Sequence, residues 1–124
     1  MKVISTNNAP KAIGPYSQGI LANGFLFISG QIPLDEKGTL VEGGIEAQAK
    51  QSLSNLKAIL SACDLEFKDV VKTTIFLTNM SDFDAVNQIY ANTFGEHKPA
   101  RSTIEVSKLP KGALVEIELI AKAY

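Results

Sequence analysis

The chain is poor in the residues that most often carry chemistry. Among its 124 residues it has one cysteine, Cys63, one histidine, His97, and no tryptophan. A single cysteine excludes an internal disulfide and suits a reducing cytosol. One cysteine and one histidine cannot build a metal site of several such ligands, and no Cys–His nucleophile pair is evident. Neither sign of charge dominates: 12 Lys and Arg against 13 Asp and Glu leave a net charge of −1 and a pI near 5.8. A basic face for phosphate backbones is therefore not expected, nor is a nucleic-acid partner. No apolar run approaches the about 20 residues of a membrane-spanning helix, and no basic-then-apolar leader opens the sequence. Gly43-Gly44 lacks the following lysine of a phosphate loop. These absences point to a cytoplasmic protein of one domain, residues 1–124, whose 45% apolar content supports a core without staples.

What is present is clear periodicity. A short strand is expected near Lys2–Ser5 and another over Ser17–Ala22, with Asn23-Gly24 as a hairpin turn. The run Phe25–Ile32 hardly alternates, so it reads as a strand covered on both sides. Apolar residues at 45, 49, 53, 56, 60 and 63 mark a helix. Val70–Leu77 is a β-branched strand. Ser81 is the expected cap of a second helix whose buried stripe is Phe83, Val86, Tyr90 and Phe94, with Gly95 ending it. Cys63, at helix spacing, is expected in the core, and His97, in a polar loop, in solvent. The order of elements argues an α+β fold with two helices on one face of one sheet. The second face still carries Leu, Ile and Phe, for which self-association is the simplest cover.

Two further runs hold charges among apolar neighbours, where charge is costly unless paired or used. In Pro99–Val106, Arg101, Thr103 and Glu105 share one face and Ser102, Ile104 and Val106 the other. In Leu114–Ile120 and the Ala121 beyond it, Val115, Ile117, Leu119 and Ala121 oppose Leu114, Glu116, Glu118 and Ile120. The short connection with Pro110 and Gly112 suggests a hairpin. If its apolar faces coincide, Thr103 lies against Glu116 and Arg101 against Glu118, and the polar residues gather on one side. That cluster is either a site or solvated sheet decoration, whose ion pairs are worth about 0.2–1 kcal/mol each. A catalytic reading requires Arg101 in a sheltered cleft and Glu116 on the same side of the sheet. Glu116 and Glu118 share a face and so cannot flank a substrate as glycosidase carboxylates do.

The sequence also resembles the reactive-intermediate deaminase family (Rid, or YjgF-type). The resemblance runs through Ala12–Gly19 (AIGPYSQG), Ser29–Pro33 (SGQIP), Gln51–Lys57 (QSLSNLK) and Val71–Thr74, ending in the Pro99–Val106 and Val115–Ile117 blocks. These blocks keep the family's order and cover nearly the whole chain. The resemblance implies a chorismate-mutase-like fold, a mixed sheet with two helices on one face, assembled as a homotrimer with sites between subunits. It implies hydrolysis of small 2-imino or 2-enamino acids to 2-keto acids and ammonia, without metal or other cofactor. A non-catalytic protein that binds small carboxylates such as 2-keto acids is the alternative.

By the same resemblance Arg101 grips the substrate carboxylate through two parallel hydrogen bonds, which lysine cannot reproduce. Glu116 and the backbone carbonyl of Thr103 hold the attacking water. Many relatives have cysteine where this chain has Thr103, so a thiol role would be lost here. Tyr16, Gly30 and Asn87 are the implied pocket positions. Each has a plainer reading: Tyr16 a lid on the core, Gly30 a bulge, Asn87 an exposed helical residue, and Arg101 a strand-to-strand ion pair.

Overall fold

The first local unit is a tight hairpin. Asn23 and Gly24 both adopt positive φ, 51° and 80°, and turn strand β2 (Gly19–Ala22) back as β3 (Phe25–Gln31), with Ala22 opposite Phe25. A short β1 (Lys2–Ile4) pairs outside β2. The computed structural model describes all 124 residues, and the remaining elements are α1 (Gly44–Ser61), β4 (Val70–Leu77), α2 (Phe83–Phe94), β5 (Ala100–Glu105) and β6 (Val115–Lys122). They form a six-stranded sheet of order β1-β2-β3-β6-β4-β5. Every neighbouring pair is antiparallel except β4 and β5, which run parallel and are joined by the crossover helix α2 that such a pair needs. The fold is α+β with a mixed sheet, as expected.

Both helices pack on one face. Leu26 and Ile28 of β3, Ile75 and Leu77 of β4, and Val115, Ile117, Leu119 and Ala121 of β6 meet Leu53, Leu56, Ile59 and Leu60 of α1 and Val86, Tyr90 and Phe94 of α2 in one core. Gly95, at φ 65°, ends α2 where expected. No helix is long and apolar enough to cross a membrane.

The other face is open in the single chain. Phe27 and Ile104 are each 45% exposed, and Val3 and Phe25 are exposed beside them. The run Phe25–Ile32 is thus covered on only one side by its own chain: Leu26 and Ile28 are buried and Phe25 and Phe27 are not.

Three expectations fail. β5 and β6 are not a hairpin, because β6 lies between β3 and β4 while β5 sits at the sheet edge. Half of β6 is buried and none of β5 is, so the strand with a true apolar face takes the interior. The connection from Val106 to Leu114 spans about 30 Å when extended, ample to step across one strand, since strands lie about 4.8 Å apart. Gln48 of α1 fixes its far end by accepting a 2.8 Å hydrogen bond from the Leu114 N–H. Secondly, Ser81 does not cap α2. It lies within a 3₁₀ turn, Met80–Asp82, capped by the Asn79 side chain, and Asp82 enters the helix without a side-chain cap bond. Thirdly, His97 is half-buried and not free in solvent: its Nε2 lies 2.6 Å from the Val70 carbonyl oxygen and its ring packs near Phe94. Cys63 packs half-buried against the core.

Candidate active site

Strand register decides which candidates can meet. Arg101 is opposite Thr73 of β4 and Thr103 opposite Ile75, and both β4 residues are buried on the helix side. Side chains directly opposite on neighbouring strands share a face, so Arg101 and Thr103 face α2. Glu116 and Glu118 are opposite Phe76 and Thr74, on the open face. The expected cluster of Arg101, Thr103, Glu116 and Glu118 on one side therefore does not exist within a chain, and the requirement that Glu116 share Arg101's side of the sheet fails there. Its premise, that the apolar faces of β5 and β6 coincide, is wrong: β5 turns its arginine face toward the helices.

The arginine half is held by α2. Asn87 accepts a 2.7 Å hydrogen bond from Arg101 Nη1. The guanidinium carbon stands 4.9 Å from the centre of the Tyr90 ring and 5.5 Å from that of Phe83, within range of cation–π attraction. Phe83, Asn87 and Tyr90 recur at i, i+4 and i+7, so one helical stripe presents all three. A cleft of about 450 Å³ opens here, lined by Asn87, Tyr90, His97, Lys98 and Arg101 among others, with no carboxylate. The chain's only salt bridge is the exposed Lys68–Glu66 pair, so Arg101 has no acidic partner of its own. The expected strand-to-strand ion pair with Glu118 is absent. Asn87 is a working contact of Arg101 and not an idle helical residue. Thr103 Oγ1 is buried and has no hydrogen-bond partner.

The carboxylate half is a groove of about 650 Å³ on the other side of the sheet, where Tyr16, Gly30, Glu116 and Glu118 come together. Burial first, and the neighbouring Glu118 carboxylate second, push the Glu116 carboxyl above the usual glutamate range. Gly30 sits in a β-bulge, where Ser29 and Gly30 oppose Glu118 alone. A Cβ on Gly30 would run into the Glu116 side chain, whose Cδ is 2.8 Å from that point. The bulge and the close approach are thus one feature. Tyr16 is 54% exposed and lines the groove, so it is no lid on this chain's core.

Pattern reading missed how that groove is braced. Gln18, 3% exposed, accepts from the Thr6 N–H at 2.7 Å and donates to the Pro10 carbonyl at 2.8 Å. Ser29 ties the bulge to the same loop through a 2.6 Å bond to the Ser17 carbonyl. Phe83 and Tyr90 were legible as stripe residues, but only an Asn between two aromatics on one helix face hints at a cation seat.

A mixed sheet backed by two helices, with an arginine seat on one face and a carboxylate groove on the other, defines a small single-sheet α+β protein. The chain belongs to the endoribonuclease L-PSP family, whose model matches residues 6–123; this is the YjgF/RidA group that its motifs resemble. It is 56% identical to a RutC family protein of Pyrococcus horikoshii, covering 97% of this chain and 96% of that one. It is 51% identical to the 2-iminobutanoate/2-iminopropanoate deaminase of Mus musculus, over 97% of this chain and 90% of the relative. The solved structure of the Rid family protein YyfA from Yersinia pestis, 55% identical, superimposes with a TM-score of 0.95 over 98% of both chains.

Proposed function

We propose that the chain is a deaminase, hydrolysing reactive 2-imino and 2-enamino acids such as 2-iminobutanoate and 2-iminopropanoate (2-aminoacrylate) to 2-keto acids and ammonia. One observation carries this reading: an arginine with no acidic partner and a partly desolvated acid with no salt bridge occupy opposite faces of one sheet. Each half lacks what the other supplies. The activity named for the mouse relative supports the reaction class.

The halves meet when a second copy lays its Glu116 groove against the Arg101 seat of the first. Such a contact joins unlike faces, and head-to-tail contacts of that kind close into rings, of which three copies make the smallest. The apolar open face, with Phe25, Phe27 and Ile104, supplies surface for a chorismate-mutase-like homotrimer to bury. In this pocket Arg101 grips the substrate carboxylate with N–H groups left free by Asn87. Glu116 and the Thr103 carbonyl hold a water against C2 of the imine. Glu116 accepts one proton of the water as its oxygen bonds to C2 and passes that proton to the imine nitrogen, giving a carbinolamine. The remaining hydroxyl proton then moves through the same carboxylate to the amine, the C–N bond breaks as the C=O bond forms, and ammonia leaves. Tyr16 and Gly30 shape the wall, and Gly30 lets the carboxylate sit close. Imine carbon is already electrophilic, so positioning supplies much of the rate gain.

The test is a threonine dehydratase reaction run with threonine, following how fast 2-iminobutanoate disappears when the protein is added. Wild-type chain should accelerate it, Arg101→Ala should not, and Arg101→Lys should retain little. A second reading is favoured by the arginine cleft being lined by Arg101 and Asn87 of one chain, apart from Glu116: a protein that binds small carboxylates without turning them over. No acceleration, with 2-ketobutyrate still bound, would select it. RNA cleavage, if seen, should survive Arg101→Ala or vanish on purification, since a chain of net charge −1 offers little grip on a phosphate backbone.

A further inference from the structure

We infer that Thr73 and Tyr90 are a positioning pair that aims the Arg101 guanidinium; the inference rests on Arg101 being the carboxylate grip proposed above. Thr73 is fully buried and Tyr90 is 7% exposed, and their hydroxyls lie 2.7 Å apart. Each is the other's only side-chain hydrogen-bond partner. Thr73 stands directly beside Arg101 in the parallel β4–β5 register, and the Tyr90 ring lies 4.9 Å from the guanidinium carbon. The pair therefore links the sheet row that carries Arg101 to the aromatic surface on which its charge rests.

Stability alone gives no reason for two hydroxyls here. Valine and phenylalanine have nearly the same shapes, and replacing both partners of a buried hydrogen bond by apolar groups can be nearly neutral. What the bond adds is direction. Of the three α2 groups around the guanidinium, only Tyr90 carries a side-chain hydrogen bond to β4. A ring pinned at both ends cannot tilt, and a guanidinium resting on it keeps the plane that a two-pronged carboxylate bond requires. Without the tie, the Tyr90 ring is free to tilt and the arginine spends less time aligned.

The test is calorimetric binding of 2-ketobutyrate to wild type, Tyr90→Phe, Thr73→Val and the double variant, with thermal unfolding and steady-state kinetics on 2-iminobutanoate alongside. Each single variant should weaken Kd about three- to tenfold, the effect of one modest polar interaction. The double variant should be no worse than either single, because the two residues act as one unit. KM should rise with Kd while kcat stays within about twofold, since the carboxylate grip is made equally before and during reaction. In an Arg101→Lys background Tyr90→Phe should have no further effect. Unchanged Kd in folded variants, effects that multiply in the double variant, or the same loss in the Arg101→Lys background would overturn the inference. Should a single variant misfold with an orphaned hydroxyl, the double variant, which leaves none, carries the test. If 2-ketobutyrate binds Arg101→Ala as tightly as wild type, the reading of the site fails and takes this inference with it. If binding needs Arg101 but ignores Thr73 and Tyr90, only the pair is refuted.

Discussion

Arg101 and Glu116 point away from each other through one sheet, Arg101 toward α2 and Glu116 toward the open face, with β4 between their strands. No side-chain rotation in one chain brings them together, so a shared pocket must draw them from two copies.

That geometry makes complementation the sharpest test of the assembly. Arg101→Ala and Glu116→Gln chains are each expected to be inactive alone. Mixed at equal amounts and refolded or co-expressed, they should recover activity, because a site between unlike chains can combine intact Arg101 with intact Glu116. Random mixing around a ring restores about one site in four. Activity that stays at the level of the separate variants, in oligomers shown to be mixed, would contradict a site shared between copies.

Glu116→Gln should cut turnover by about 10²-fold or more while moving 2-ketobutyrate binding less than threefold, since only proton transfer is lost. The acid limb of the wild-type kcat profile should follow from the same residue. Burial and Glu118 raise its pKa above the ordinary 4.5, and the substrate carboxylate offsets the charge of Arg101. The base is active when ionised, so activity should climb as pH rises through that elevated value. A profile still flat down to pH 4.5 would disagree.

Gly30→Ala should act through its neighbour. The backbone at Gly30 is not in the left-handed region, so alanine is conformationally tolerable there. Its methyl group would displace the Glu116 carboxylate, and a shift of about 1 Å in a catalytic group can cost about 10²-fold in rate. Kinetics and thermal unfolding measured together should show a large loss of kcat and a small change in Tm.

Thr103→Ala should be mild, within about threefold in kcat/KM. Its hydroxyl is buried without a partner, so removing it breaks no bond, and the backbone carbonyl assigned to the water remains. A severe defect in an intact oligomer would move the role from the main chain to the side chain.

Much of the local structure was legible before the fold was seen. The β-branched run gave β4 its bounds, Val70–Leu77, and the stripe of Phe83, Val86, Tyr90 and Phe94 with Gly95 beyond it gave α2. Both depend on residues close in sequence, where side-chain period and backbone sterics act directly. The motif blocks around Arg101, Glu116, Tyr16, Gly30 and Asn87 also stood out. The Asn87–Arg101 hydrogen bond, however, joins an α2 residue to one 14 positions later on β5, and spacing alone does not announce it.

Alternation along β5 and β6 showed which residues share a face, because successive side chains must point to opposite sides of a strand. It could not say which face meets the helices, nor that β6 slides between β3 and β4 and leaves β5 at the edge. Strand order is settled by competition among distant segments for buried positions, and β6 wins on the apolar side chains it delivers to the core. That one choice sends Arg101 and Glu116 to opposite sides of the sheet, and so turns one expected cluster into two separate halves.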